Sequence, residues 1–123
     1  MKTDIMMMLM SDTYKHTHPR MYPQNLTKLV SYLTPRKNMS EAFPNMVFFG
    51  LQAFILDYLM DGFDEQFFNK PLHVVEDKYK HYMGIQIGVE NTEWPKIKAL
   101  HRLGYLPLEI RALPEGTVVN MGV

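Results

Sequence analysis

The sequence predicts an α+β domain: a small antiparallel sheet packed with about three helices. Three observations carry this expectation. Apolar residues recur at helical spacing in three stretches, each bounded by Pro or Gly. Lys28–Thr34 is rich in β-branched and aromatic residues and stops at Pro35. Leu108–Leu113 and Thr117–Met121 flank Pro114-Glu115-Gly116, the pattern of a β-hairpin.

Taken in chain order, Met1–Met10 carries an apolar run from Ile5 to Met10 and reads as a short strand or buried lead-in. Ser11–Asn25 is polar and aromatic, with Pro19 and Pro23. It reads as an ordered loop with one helical turn begun by Asp12 or Thr13 as cap. Lys28–Thr34 is the first strand, with Arg36 and Lys37 just past its end. Pro44 fits the first turn of a helix. Val47, Leu51, Phe54, Ile55, Tyr58 and Leu59 form that helix's apolar stripe, and Gly62 stops it. Phe67 and Phe68 lie in a short linker.

Pro71 opens a second helix whose inner face is Leu72, Val75, Tyr79 and Tyr82 or Met83, with Gly84 at its end. Ile85–Val89 has no clear assignment. Thr92 is the expected cap of a third helix, with Pro95 in the first turn. Its stripe is Trp94, Ile97, Leu100 and Leu103, closed by Gly104. The last strand ends with no turn, cap or polar tail. A bare strand edge is a liability that domains usually cover, so a continuation is expected.

Length and composition set limits on function. A chain of 123 residues makes one domain, 1–123, and not two. With 46% apolar and 21% charged residues it is an ordinary globular chain. Lys+Arg and Asp+Glu both number 13, so the formal net charge is zero. No bulk field draws in nucleic acid or an anionic membrane, and neither is expected as a partner. Any phosphate must be met by a few placed cations. No Cys is present, which excludes disulfides and thiolate metal sites. No stretch approaches the ~20 apolar residues of a membrane span, and Asp4 stands where a signal peptide would be basic. A cytoplasmic location is expected.

Asp12-Thr13-Tyr14-Lys15-His16-Thr17-His18 brings together a carboxylate, a phenol, an ammonium and two imidazoles. His16 and His18 have the spacing of two metal ligands on a strand, but no third ligand stands nearby, and no metal site is expected. Ser11 and Asp12 lie in no nucleophile elbow. The glycines are scattered, so no phosphate loop is visible. By residue type alone, Tyr14 is a packing residue, Asp12 a cap and Arg36 a solvated charge.

The same segment, followed by Tyr22-Pro23, resembles the signature of nicotinamide phosphoribosyltransferases, Asp-Ser-Tyr-Lys-x-Thr-His and then Tyr-Pro. The resemblance continues at Ser31-Tyr32 with Arg36, at Val47-Phe48-Phe49-Gly50-Leu51-Gln52, and from Leu106-Pro107 through Pro114-Glu115-Gly116. It spans about Ser11 to Gly116. It implies the N-terminal domain of a larger α/β-barrel enzyme, a pentosyltransferase that joins nicotinamide to phosphoribosyl pyrophosphate in NAD biosynthesis. The products are nicotinamide mononucleotide and pyrophosphate.

Family members are homodimers whose site lies at the subunit interface, so a second copy or a complementing barrel fragment is the implied partner. The resemblance further implies that Tyr14 stacks on the nicotinamide ring and that Asp12 sits beside that pocket. Arg36 grips the phosphates of phosphoribosyl pyrophosphate, with Lys37 as a second cation. Mg²⁺ is implied for the complete enzyme, bound with phosphoribosyl pyrophosphate, and none for this chain alone. Thr13 departs from the family's Ser, and Phe63–Gly104 does not match closely. The barrel residues that hold nicotinamide and ribose are absent, as is the family's phosphorylated histidine. The isolated chain is therefore expected to be inactive. The alternative is a non-catalytic dimerisation or partner-binding module derived from this family. Preference between nicotinamide and nicotinate stays open.

Overall fold

A computed structural model describes residues 6–122. The expectation for Met1–Met10 falls partly on Met1–Ile5, which lie outside the described residues. In the remainder, Met6 is buried and Met7–Leu9 form a single 3-10 turn rather than a strand.

The architecture is a two-stranded antiparallel ribbon with helices beside it. Strand β1 (Asn45–Phe48) pairs with β2 (Thr117–Asn120), Val47 opposite Val118 and Phe48 opposite Thr117. The helix expected from Pro44 therefore begins later. Val47 belongs to a strand and points to solvent, while Met46 and Phe48 turn inward. A glycine makes the break: Gly50, at φ 96°, has a left-handed conformation that a side chain would resist.

Helix α1 (Leu51–Phe54) follows and continues as wider π-helix over Ile55–Gly62 and Asp64–Phe68. Gly62 does not stop it. A Cβ there would lie 2.8 Å from Met7 Cγ and Sδ, so the glycine admits the N-terminal segment. Phe67 and Phe68, expected in a linker, are the end of this helix, and Phe67 is fully buried.

Helix α2 (Leu72–Ile87) starts after Pro71 and runs through Gly84 to Gly88. Gly84 again serves close packing, since a Cβ would meet Val89 Cγ2 at 2.9 Å. The unassigned Ile85 is helical, and Val89–Asn91 is a 3-10 turn. Helix α3 (Trp94–Leu103) has Glu93 rather than Thr92 at its N-cap position, without a side-chain cap bond, carries Pro95 in its first turn, and ends at Gly104, φ 79°.

The core lies where α2 meets its neighbours. Val75, Tyr79 and Met83 recur every fourth residue on α2 and are buried with Phe67 and Met6. Trp94, Ile97 and Leu100 of α3 pack against them. Each such burial contributes about 1.5–3 kcal/mol. The Tyr79 hydroxyl is not orphaned, because it accepts the Glu93 N–H at 3.3 Å.

Two expected strands form no ladder among the described residues. Lys28–Thr34 has no regular secondary structure and is exposed, with Leu33 99% accessible. Leu108–Leu113 likewise does not pair with Thr117–Met121. Gly116 instead donates its N–H to the Phe48 carbonyl at 2.8 Å, which sends the last strand back to β1. No described helix is long and apolar enough to cross a membrane.

Candidate functional site

Tyr14 stands on a 3-10 segment, Thr13–Met21, that contains Pro19. Such helices seldom exceed three or four residues, because their hydrogen bonds are poorly aligned. This longer one is held from outside. The Thr13 hydroxyl donates to Gln86 Oε1 of α2. Arg20 grips the start of α3, with Nε 2.9 Å from Glu93 Oε1, one terminal nitrogen 2.7 Å from Asn91 Oδ1 and the other 3.4 Å from the Glu90 carbonyl. That pairing, led by the Arg20 hydrogen bond and joined by Lys96 at 3.3 Å, holds the Glu93 carboxyl below its usual range.

Between these anchors the side chains divide. His16 turns toward the core, 3.0 Å from the Ser11 hydroxyl and with its ring 6.4 Å from that of Tyr79. Burial lowers its pKa and favours the neutral imidazole. Tyr14 turns outward and is 55% exposed. Its ring meets the edge of His18 at 5.1 Å, and Lys15 Nζ lies 4.9 Å from its centroid. The Thr17 hydroxyl donates to the Tyr14 carbonyl at 2.8 Å. The two histidines thus diverge, and no three His, Asp or Glu side chains converge on a metal position among the described residues.

Asp12 is exposed, and its side chain makes no cap bond; its carbonyl accepts the Lys15 N–H at 2.9 Å. The backbone begins the turn without the carboxylate, which stays available to other groups.

Arg36 and Lys37 are exposed beside the end of the ribbon, where the Pro35 carbonyl accepts the Gly122 N–H at 2.8 Å just past β2. Neither forms an ion pair among the described residues. No contact joins Tyr14 to Arg36, and neither lines a principal cavity. One cavity, about 410 Å³, is apolar and lies between the π-helix and the chain after α3, with Ile55, Leu59, Phe68, Leu106 and Ile110 in its walls. The other, about 520 Å³, is bordered by Arg20, Tyr22, Leu26 and Lys96.

Two residues that sequence reasoning left without a role prove central to the framework. Arg20 has its partners some seventy positions away, so nothing local marks it. Glu115 belongs to a recognisable turn, yet its carboxylate reaches back to the Gly50 and Gln52 N–H groups.

The chain matches the family model described as nicotinamide phosphoribosyltransferase, N-terminal domain, over residues 6–110. It is 44% identical over 117 residues to a nicotinamide phosphoribosyltransferase of Acinetobacter baylyi, a match covering 91% of this chain and 23% of that protein. The chain thus spans under a quarter of the length of that curated relative. No solved structure gives a significant match.

Proposed function

The chain belongs to the nicotinamide phosphoribosyltransferase family through its N-terminal domain, and from that premise we propose that it is one part of such an enzyme. The reaction joins nicotinamide to phosphoribosyl pyrophosphate, forming nicotinamide mononucleotide and pyrophosphate in the cytoplasm. The chain works docked against a barrel portion, within a homodimer or as a complementing piece.

One structural observation supports a docked part. The chain exposes 9643 Å², whereas a compact monomer of its 14.4 kDa mass exposes about 6,800 Å². The surplus, roughly 2,800 Å² on this chain alone, exceeds the about 800 Å² per partner of a standard interface. Much of it is apolar, including Tyr32 at 87%, Leu33 at 99% and Phe49 at 81% exposure.

On this reading Tyr14 is the platform for the pyridine ring. A flat, electron-poor ring gains from offset stacking on an outward-facing phenol. The Lys15 ammonium near that ring is an exposed contact worth about 0.5–1 kcal/mol and is readily displaced. Asp12, two residues earlier, offers a free carboxylate to a donor on the ligand. Arg36 supplies bidentate contact to a phosphate, with Lys37 as a second point charge. No hydrogen-bond or ring contact joins Tyr14 to Arg36 on this chain, so on this reading they serve separate portions of a pocket whose remaining walls come from the barrel. Catalysis is then positioning and charge stabilisation at the anomeric carbon. Mg²⁺ accompanies phosphoribosyl pyrophosphate in the complete enzyme. The described residues gather no group of three His, Asp or Glu side chains that could hold it.

The test is complementation. The purified chain is mixed with nicotinamide, phosphoribosyl pyrophosphate and Mg²⁺, with and without a barrel fragment from the Acinetobacter relative. Nicotinamide mononucleotide is expected only in the mixture. Product from the chain alone would refute the need for a second part. Binding to the fragment without product would favour a non-catalytic partner-binding module.

A further inference from the structure

We propose that Arg20 is a positioning residue for Tyr14, clamping the far end of its 3-10 segment to the start of α3 so that the phenol faces outward. The inference rests on the reading of Tyr14 as the nicotinamide platform. Its geometric half stands independently of that reading.

The segment Thr13–Met21 has little to hold its shape internally. It is longer than isolated 3-10 helices tolerate, and Pro19 removes one backbone donor from its middle. Among the described residues, the hydrogen-bond, ring and cation contacts of Tyr14 all lie within its own segment, with Lys15, Thr17 and His18. Its direction is therefore inherited from the backbone, and the backbone is held at both ends. Thr13 ties the near end to Gln86 on α2. Arg20 ties the far end to Glu93, Asn91 and the Glu90 carbonyl.

The far clamp is the more specific of the two. A planar guanidinium meets the three acceptors with three different nitrogens in one fixed arrangement, a spread that the single nitrogen of a lysine does not reproduce. Glu93 is well placed to hold it, because its side chain is only 17% exposed and its backbone N–H is bound to buried Tyr79. Arg20 is thereby connected to the core through a single residue. Losing it frees Met21 and the residues before it, and Tyr14 then samples directions in which its ring is not presented.

The test compares Arg20→Met, Arg20→Lys and Asn91→Ala, with Lys96→Met as the control that removes the other cation on Glu93 and leaves the three Arg20 hydrogen bonds in place. Circular dichroism first establishes that each variant folds. On the isolated chain, the nuclear Overhauser contact between the Tyr14 and His18 rings is read directly. It should persist in wild type and Lys96→Met, be lost in Arg20→Met, and return in part in Arg20→Lys. If Arg20→Met does not fold, Asn91→Ala decides by the same contact. In the complemented enzyme, Arg20→Met should raise KM for nicotinamide by about threefold, and by no more than the roughly tenfold that losing the Tyr14 ring altogether would cost. KM for phosphoribosyl pyrophosphate and kcat should stay near wild type.

A folded Arg20→Met chain with the Tyr14–His18 contact intact would overturn the proposal. So would equal loss in both KM values and kcat, which signals general unfolding. If wild-type chain and barrel fragment give no product while the ring contact behaves as described, the assigned reaction fails and the clamp survives.

Discussion

The carboxylate of Glu115 accepts the amide N–H of Gly50 at 2.6 Å, and its other oxygen accepts that of Gln52 at 3.1 Å. Two segments far apart in sequence are thereby joined at the start of α1. Free N–H groups at a helix start need acceptors, and none of α1's own side chains caps it. Glu115 does so from the turn before β2, at the point where Gly116 extends the ribbon to Phe48. One side chain thus fastens helix, ribbon and turn together.

Glu115→Ala should therefore destabilise the chain by about 1–2 kcal/mol, the range for losing a capping acceptor. Glu115→Gln, which keeps one acceptor without the charge, should lose about half as much. Urea unfolding measures both. An unchanged midpoint for Glu115→Ala would remove Glu115 from the framework.

Stability should depend on pH through His16. Burial lowers its folded-state pKa below the ordinary 6.5. The unfolded chain then takes up the proton first, so the contribution is intact above about pH 6.5 and is lost as pH falls below it. Glu93 has a lowered carboxyl pKa and adds its loss only further down, below its ordinary 4.5. Unfolding midpoints at pH 7.5 and 5.5 should therefore differ, and His16→Gln should shrink the difference. An identical pH dependence in His16→Gln counts against this account.

Tyr14→Ala in the complemented enzyme should raise KM for nicotinamide about threefold to tenfold, matching the ~0.5–1.5 kcal/mol of an aromatic pair. Tyr14→Phe should stay near wild type, since stacking uses the ring and not the hydroxyl. Steady-state kinetics with nicotinamide varied provide the check. Equal values for all three would leave Tyr14 without a substrate role.

Arg36→Ala should raise KM for phosphoribosyl pyrophosphate by about tenfold or more, as expected for a charge-assisted hydrogen bond of ~1.5–3 kcal/mol. Arg36→Lys should recover only part, because an ammonium cannot reproduce bidentate contact. Lys37→Ala should act in the same direction but less strongly. If Arg36→Ala changed KM for nicotinamide alone, the assignment to phosphate would fail.

The second and third helices were legible because their stripes are internal to each segment. Val75, Tyr79 and Met83, then Trp94, Ile97 and Leu100, follow helical spacing and meet in one core. Gly104 closes α3 as its pattern suggests. Glycine was a poorer guide where its use was tertiary. Gly62 and Gly84 looked like stops, yet each sits inside a helix because Met7 and Val89 come too close for a side chain. Residues 44–62 formed one apolar stripe to the eye, and the left-handed turn at Gly50 splits it into strand and helix. The resemblance implied substrate contacts for Tyr14 and Arg36, and both side chains are exposed. It did not point to Arg20.

What the sequence determined by itself is local: the helical stripes of α2 and α3, where Gly104 ends the latter, and which motif blocks mark the family. Those follow from periodicity and residue type over a few turns of chain. Tertiary structure alone decided that Thr117–Asn120 pairs with Asn45–Phe48 instead of its neighbour, that Glu115 caps a distant helix, and that Arg20 clamps the segment bearing Tyr14. A strand has open hydrogen-bonding edges and a long charged side chain can reach many partners. Their final partners therefore depend on which surfaces the packed core brings alongside, and that information lies in no single stretch of sequence.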